Sequence, residues 1–175
     1  MKKLLVVVDM QKDFIDGALG TKEAQAIVPN VVKKINEWDG DIAYTLDTHT
    51  KDYLNTTEGK YLPVEHCIEH TPGWCLNDEV AKALAPKTTV ECYDKPKFGS
   101  VSLQYIVFDR KYDYVELIGL CTDICVVSNA LMIKAVMPDP HKMVVDASCC
   151  AGVTPESHAA ALTTMKMCQI EVIGE

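Results

Sequence analysis

The residues able to carry acyl-transfer chemistry in this sequence stand just after its apolar runs. Gly119-Leu120-Cys121-Thr122-Asp123-Ile124-Cys125-Val126 leaves one such run and opens an amphipathic stretch, with Thr122 or Asp123 available as a helix cap. Cys125 then falls in a first helical turn, where the helix dipole and unpaired N–H groups favour negative charge and lower a thiol's pKa. An isolated cysteine in such a place more often packs as a small hydrophobe, so its surroundings decide the matter. The Cys121–Cys125 pair has neither the Cys-x-x-Cys redox spacing nor the second pair that a structural metal site needs.

Asp9 ends the run Leu4-Leu5-Val6-Val7-Val8. An ionised carboxylate there is costly without a cation beside it. Asp94-Lys95-Pro96-Lys97-Phe98 follows another apolar run and offers that cation. A carboxylate, an ammonium and a thiol in one crevice would activate the thiol and shuttle its proton to a leaving amine. Asp13, Asp16 and Lys95 compete with Asp9 and Lys97 for these roles, and a capping Asp9 with a solvated Lys97 is the plainer alternative.

A second cluster lies in the irregular stretch from Thr48 to Gly73, which holds His49, His66 and His70 among its acidic residues. Asp47-Thr48-His49 sets two ligands on alternate positions, and His66 follows later. Two imidazoles and a carboxylate with open positions suit Zn²⁺ or Fe²⁺. Glu58 is a further candidate ligand, whereas no pattern places His70 or Glu69. Long loops inside a domain usually carry function.

Short Val/Ile/Leu runs alternating with amphipathic stretches predict strands buried on both faces by crossover helices. The expected strands are Leu4–Val8, Asp41–Leu46, Thr88–Cys92, Tyr114–Gly119, Met143–Asp146 and Glu171–Ile173. Helices are expected over Ala26–Glu37, Asn77–Ala83, Val101–Phe108, Ile124–Ala135 and Pro155–Met165. The fold class is α/β: a single doubly wound domain over residues 1–175 with a six-stranded parallel sheet and helices on both faces. In such sheets the ligand sits beyond the carboxyl ends of the strands, where Asp9, Asp47, Lys95, Lys97 and Cys125 fall.

A net charge of −8 and the lack of any basic block argue against nucleic-acid or anionic-membrane partners. The opening apolar run stops at Asp9, so it reads as a buried strand rather than a signal, and no run nears the roughly 18 residues of a membrane span. A cytoplasmic protein acting on a small molecule is expected. The eight cysteines fall below the roughly 8–10% share that marks a disulfide scaffold. Outside the 121–125 segment they read as small buried hydrophobes.

Several separated motifs together make the chain resemble the nicotinamidase/isochorismatase-like cysteine hydrolases almost from end to end. Val8-Asp9-Met10-Gln11-Lys12-Asp13-Phe14 is similar to that family's opening D-x-Q-x-D-F, and Gly119 to Val126 is similar to its G-x-x-T-D-x-C-V. Lys97, followed by Phe98 and Ser100, matches the catalytic lysine segment. The resemblance implies a catalytic set of Asp9, Lys97 and Cys125, and a cis peptide at Leu120–Cys121. It also implies an oxyanion hole from the N–H groups of Cys121 and Cys125, with Phe14 lining the pocket. Asp47, His49 and His66, with Glu58 as an added ligand, match the metal-bearing nicotinamidase branch. The implied metal is zinc, with iron or manganese as alternatives, and no organic cofactor is implied.

The sequence departs from the family pattern at Val64-Glu65 before His66, at His70-Thr71, and at Cys121. The expected activity is hydrolysis of nicotinamide to nicotinate and ammonia through a thioester on Cys125. Hydrolysis of a carbamoyl or ureido amide on the same triad, a non-catalytic redox-sensing or binding module, and a structural metal protein are the alternatives. The resemblance also implies a homo-oligomer.

Overall fold

The computed structural model describes residues 1–88 and 90–175. Six parallel strands form one sheet: β1 (Lys3–Val8), β2 (Asp41–Asp47), β3 (Val90–Lys95), β4 (Tyr114–Leu120), β5 (Lys142–Ala151) and β6 (Glu171–Ile173). Their order is β3-β2-β1-β4-β5-β6, so the chain reverses its direction of winding between β1 and β4. That switch point opens a crevice at the strands' carboxyl ends. β1 and β4 border it, which is why Leu4 to Val8 and Val115 to Leu120 are all buried: central parallel strands are covered on both faces.

The covering helices follow from capping and apolar spacing. The main helices are α2 (Lys22–Glu37), α4 (Asp78–Leu84), α5 (Val101–Arg110), α6 (Val127–Lys134) and α7 (Pro155–Met167), while α1 (Lys12–Ile15) and α3 (Thr57–Tyr61) are single turns. Thr21 caps α2 by accepting from the Ala24 N–H at 3.0 Å, and Ile27, Val28, Val31 and Ile35 place one apolar stripe on the sheet. With Val80 and Leu84 of α4 they form one core layer against Leu5, Val7 and Ile118. On the other face Leu103, Val107, Val126, Ala130, Ile133, Leu162 and Met165 pack on Val6, Val115, Leu117 and Val145. The doubly wound α/β expectation holds.

Three differences bear on the site. β3 was expected over Thr88–Cys92 but runs from Val90 to Lys95, and Thr89 lies outside the described residues. β5 runs on to Ala151, pairing Cys150 with Gly119. Between Leu120 and α6 the chain makes a π-helical turn, Thr122–Val126, instead of the first turn of an ordinary helix. Gly119 has φ +115, and a Cβ there would collide with the Val8 carbonyl oxygen, so only glycine lets β1 and β4 close up beside the turn.

Candidate active site and metal centre

Asp9 follows β1, Lys95 ends β3, and Cys125 sits in the turn after β4, so the winding brings all three to one place. Lys95 Nζ lies 2.6 Å from Asp9 Oδ2 and 3.4 Å from both Cys125 Sγ and Asp47 Oδ1. All are nearly or fully buried. Thr45 donates to Asp9 Oδ1 at 2.6 Å, which fixes the carboxylate from β2. Asn129 of α6 donates to the Cys125 carbonyl at 2.8 Å and accepts from the Ser100 N–H at 2.9 Å, tying the cysteine's turn to the segment after β3.

Lys95, not Lys97, is therefore the ammonium between carboxylate and thiol. Lys97 is exposed and lines the wall of the adjoining cavity. The strand runs to residue 95 in register with Asp47, which turns Lys95 into the crevice and carries Lys97 two residues past it. Asp16 is exposed, and Asp13 instead accepts the Cys67 N–H at 2.7 Å, holding down the long loop.

Burial raises the Asp9 carboxyl above its ordinary value, against the pull of Lys95. Burial, with the Asp9 charge added, likewise raises the Cys125 thiol well above its usual range, although Lys95 opposes this. The helix-dipole expectation of a low-pKa thiolate is corrected: burial outweighs the few N–H groups of a short turn. Lys95 stays protonated, since Asp9, Cys125 and Asp47 outweigh its own desolvation. Burial thus favours the protonated forms of both Asp9 and Cys125, and the Lys95 ammonium between them opposes this.

Beside this group one ligand atom each from Asp47, His49, Glu58 and His66 lies within 4.8 Å of the others. His49 Nε2 is 2.9 Å from Asp47 Oδ2 and 3.6 Å from Glu58 Oε1, yet it is buried without an aligned hydrogen-bond partner. His66 Nδ1 lies 2.9 Å from the Val64 carbonyl, so it donates there and leaves the Nε2 lone pair facing the cluster. Two nitrogens and two carboxylate oxygens converging on one point fit a divalent cation of the zinc or iron type. Burial lowers the His49 pKa, but Asp47 and Glu58 outweigh it and hold it at about 9. Asp47 sits well below the carboxylate range; its burial is overcome by His49, His66 and Lys95.

Gln11 locks this centre to β1, donating to the Asp47 and Trp74 carbonyls at 2.8 Å each and accepting from the Asp47 N–H at 2.8 Å. Tyr53, fully buried, packs on both histidine rings at 4.7 and 5.0 Å. Neither was singled out from sequence; for Gln11 the signal was its place in the D-x-Q-x-D motif. The thiol and the candidate metal-binding group open into one cavity of about 570 Å³, a size suited to a small ligand. Phe14, Leu62, Phe98, Leu120, Ile124 and Val153 are among its apolar lining. Trp74 and Tyr105 are not among its lining, and Trp74 instead donates to Thr48 Oγ1 at 2.9 Å. His70 is exposed, outside the cluster.

The peptide between Leu120 and Cys121 is cis. All eight cysteines are free, with Cys67, Cys149 and Cys150 buried but Cys75, Cys92 and Cys168 exposed, contrary to the expectation for those three. No helix among the described residues is long and apolar enough to cross a membrane.

A doubly wound sheet with this site at its switch point has a family: the chain belongs to the isochorismatase family, whose domain matches residues 3–174. Among solved structures it is similar to a pyrazinamidase/nicotinamidase from Streptococcus mutans, at 28% identity and TM-score 0.85, covering 98% of this chain and 100% of that one. It is also similar to a pyrazinamidase of Pyrococcus horikoshii in complex with zinc, at 26% identity and TM-score 0.76 over the full length of both. The nicotinamidase/pyrazinamidase of Bacillus subtilis, at 24% identity and TM-score 0.87 over 99% of this chain and 100% of that one, shares the fold. No curated protein matches the chain.

Proposed function

We infer that the protein is a metal-dependent amidohydrolase that cleaves nicotinamide to nicotinate and ammonia through a thioester on Cys125. The observation that carries this reading is the position of Lys95, whose one ammonium touches the Cys125 thiol, Asp9, and the metal-cluster residue Asp47. The candidate metal ligands and the nucleophile therefore lie close enough for one ring to face both. Asp47, His49, Glu58 and His66 would hold a divalent cation, which would supply a Lewis acid for a pyridine nitrogen. Phe14 and the apolar wall hold the ring with its amide toward the thiol.

Asp9 takes the Cys125 proton as sulfur attacks the amide carbon. The Cys121 and Cys125 N–H groups receive the negative charge that forms on oxygen. Asp9 then returns the proton to nitrogen, the C–N bond breaks, and ammonia leaves a thioester. Asp9 next deprotonates water, which attacks the thioester and releases the acid and the thiol. Throughout, Lys95 holds the Asp9 carboxylate in place and balances the charge on sulfur.

Ammonia release from nicotinamide by zinc-loaded and metal-stripped protein tests the substrate. Release by the loaded protein alone is expected. Well-folded, zinc-loaded protein that releases none overturns the nicotinamide assignment.

A further inference from the structure

The turn that carries Cys125 is held from outside the cavity. Thr154 caps α7 by accepting from the Ser157 N–H at 3.1 Å, which sets His158 on the helix's first turn. Its imidazole Nδ1 shares a hydrogen bond of 2.8 Å with Thr122 Oγ1. Thr122 is the first residue of the π-helical turn and is fully buried, and this is its hydroxyl's hydrogen bond among the described residues. At the next position the Asp123 carboxylate accepts from the Val153 N–H, 3.1 Å from each oxygen. A Cβ on Gly152 would lie 2.9 Å from the His158 Cβ, so the missing side chain is what lets the imidazole approach the turn.

We propose that His158 is a positioning residue: through Thr122 it fixes the backbone from Cys121 to Cys125 whose N–H groups receive the developing oxyanion. The proposal rests on the cysteine-hydrolase reading of Cys125. His158 is not among the residues lining the cavity, so it acts through the turn and touches no substrate. A hydroxyl buried beside an imidazole can hold its rotamer, and hence the peptide planes on either side, only while that partner stays. Oxyanion donors must be in place before charge forms, so loosening them costs turnover rather than binding. Burial keeps the His158 pKa below its ordinary value, against Asp123 and Glu175, so the neutral ring serves the hydroxyl in either tautomer.

The test compares zinc-loaded His158→Ala, His158→Asn, His158→Gln and Thr122→Val on nicotinamide, with thermal unfolding and zinc content measured for each. His158→Ala is expected to lower kcat about 10- to 100-fold, as small misplacements in active sites do, with KM within about twofold. Asn places an amide atom where Nδ1 was and is expected to restore most of the rate; Gln reaches the Nε2 position and is not. Thr122→Val is expected to match His158→Ala, with the double variant no slower than either.

Equal losses for Asn and Ala, or losses that add to that of Thr122→Val, would overturn the proposal, as would wild-type kcat in His158→Ala. Should the wild type release no ammonia from nicotinamide, the substrate reading fails by itself, and the brace is read from the rate of Cys125 alkylation by iodoacetamide. That rate is expected to change severalfold in His158→Ala and to return in His158→Asn; an unchanged rate in His158→Ala counts against it.

Discussion

Lys95 Nζ sits 2.6 Å from Asp9 Oδ2 and is nearly sealed from solvent, while Lys97, two residues on, faces the cavity. This assigns the ammonium role to one of two neighbouring lysines. Lys95→Ala leaves Asp9 and Asp47 buried with a cation lost, a change that typically costs about 3–5 kcal/mol. It is expected to abolish ammonia release and lower the denaturation midpoint. Lys97→Ala is expected to keep kcat within about threefold and stability within about 0.5 kcal/mol, as for other exposed side chains. Steady-state rates and urea titrations of the two variants check this, and reversed phenotypes would refute it.

Asp9→Asn keeps the shape of the group but cannot take the thiol proton. Loss of a general base costs typically 10²–10⁴-fold, and a drop in kcat of about that size is expected, with zinc content unchanged. Because the Asp9 charge helps to hold the Cys125 thiol pKa up, alkylation of that thiol should quicken in the same variant. Alkylation that slows would mean the carboxylate serves the thiol as a base more than it suppresses the thiolate.

Glu58 is the candidate ligand that sequence marked only as an addition, and the structure sets it against both imidazoles, 3.6 Å from His49 Nε2 and 3.7 Å from His66 Nε2. Glu58→Gln is expected to weaken zinc binding by more than the roughly 10–100-fold that losing an outer partner of a ligand costs. Competition with a metallochromic chelator measures it. Cys125 alkylation in metal-free protein should stay at the wild-type rate, since Glu58 makes no ion pair with Lys95, Asp9 or the thiol.

A second buried ion group lies away from the site: Lys34 Nζ bridges Glu116 Oε1 at 2.6 Å and Asp146 Oδ2 at 2.8 Å. Burial would raise the Asp146 pKa, but Lys34 and Ser148 hold it below the ordinary value. A depressed folded-state pKa stabilises above the unfolded value, near 3.8, and that contribution fades as pH falls through the lowered one. Lys34→Met strands two carboxylates and is expected to cost about 3 kcal/mol at pH 7. That cost should shrink as pH falls, because the Asp146 contribution that Lys34 supports fades in wild type as well. Urea midpoints between pH 3 and 7 test this, and a gap from wild type that widens toward pH 3 would contradict it.

The sheet was readable because its central strands are unbroken apolar runs. The edge was harder: Val90-Glu91-Cys92-Tyr93-Asp94-Lys95 is mostly part-exposed and polar, so its end was placed too early, and Lys97 took a role that belongs to Lys95. The small residues Ala147 to Ala151 hid the second half of β5, which a strand pattern of Val and Ile would have disclosed. The candidate metal ligands Asp47, His49, Glu58 and His66 were legible by type, since imidazoles and carboxylates recur together in that stretch. Their convergence was not, because it depends on Gln11, Asp13 and Tyr53 fastening that loop. The single turns α1 and α3 carry too few residues for any period to show.

The most direct test of the account is intact-mass and peptide analysis of zinc-loaded protein mixed with nicotinamide and quenched in acid within one turnover, beside Cys125→Ala under the same conditions. The account predicts a nicotinoyl adduct on Cys125 in the wild type, with neither adduct nor ammonia from Cys125→Ala. Ammonia release that survives in Cys125→Ala, or an acyl group found on another cysteine, would contradict it.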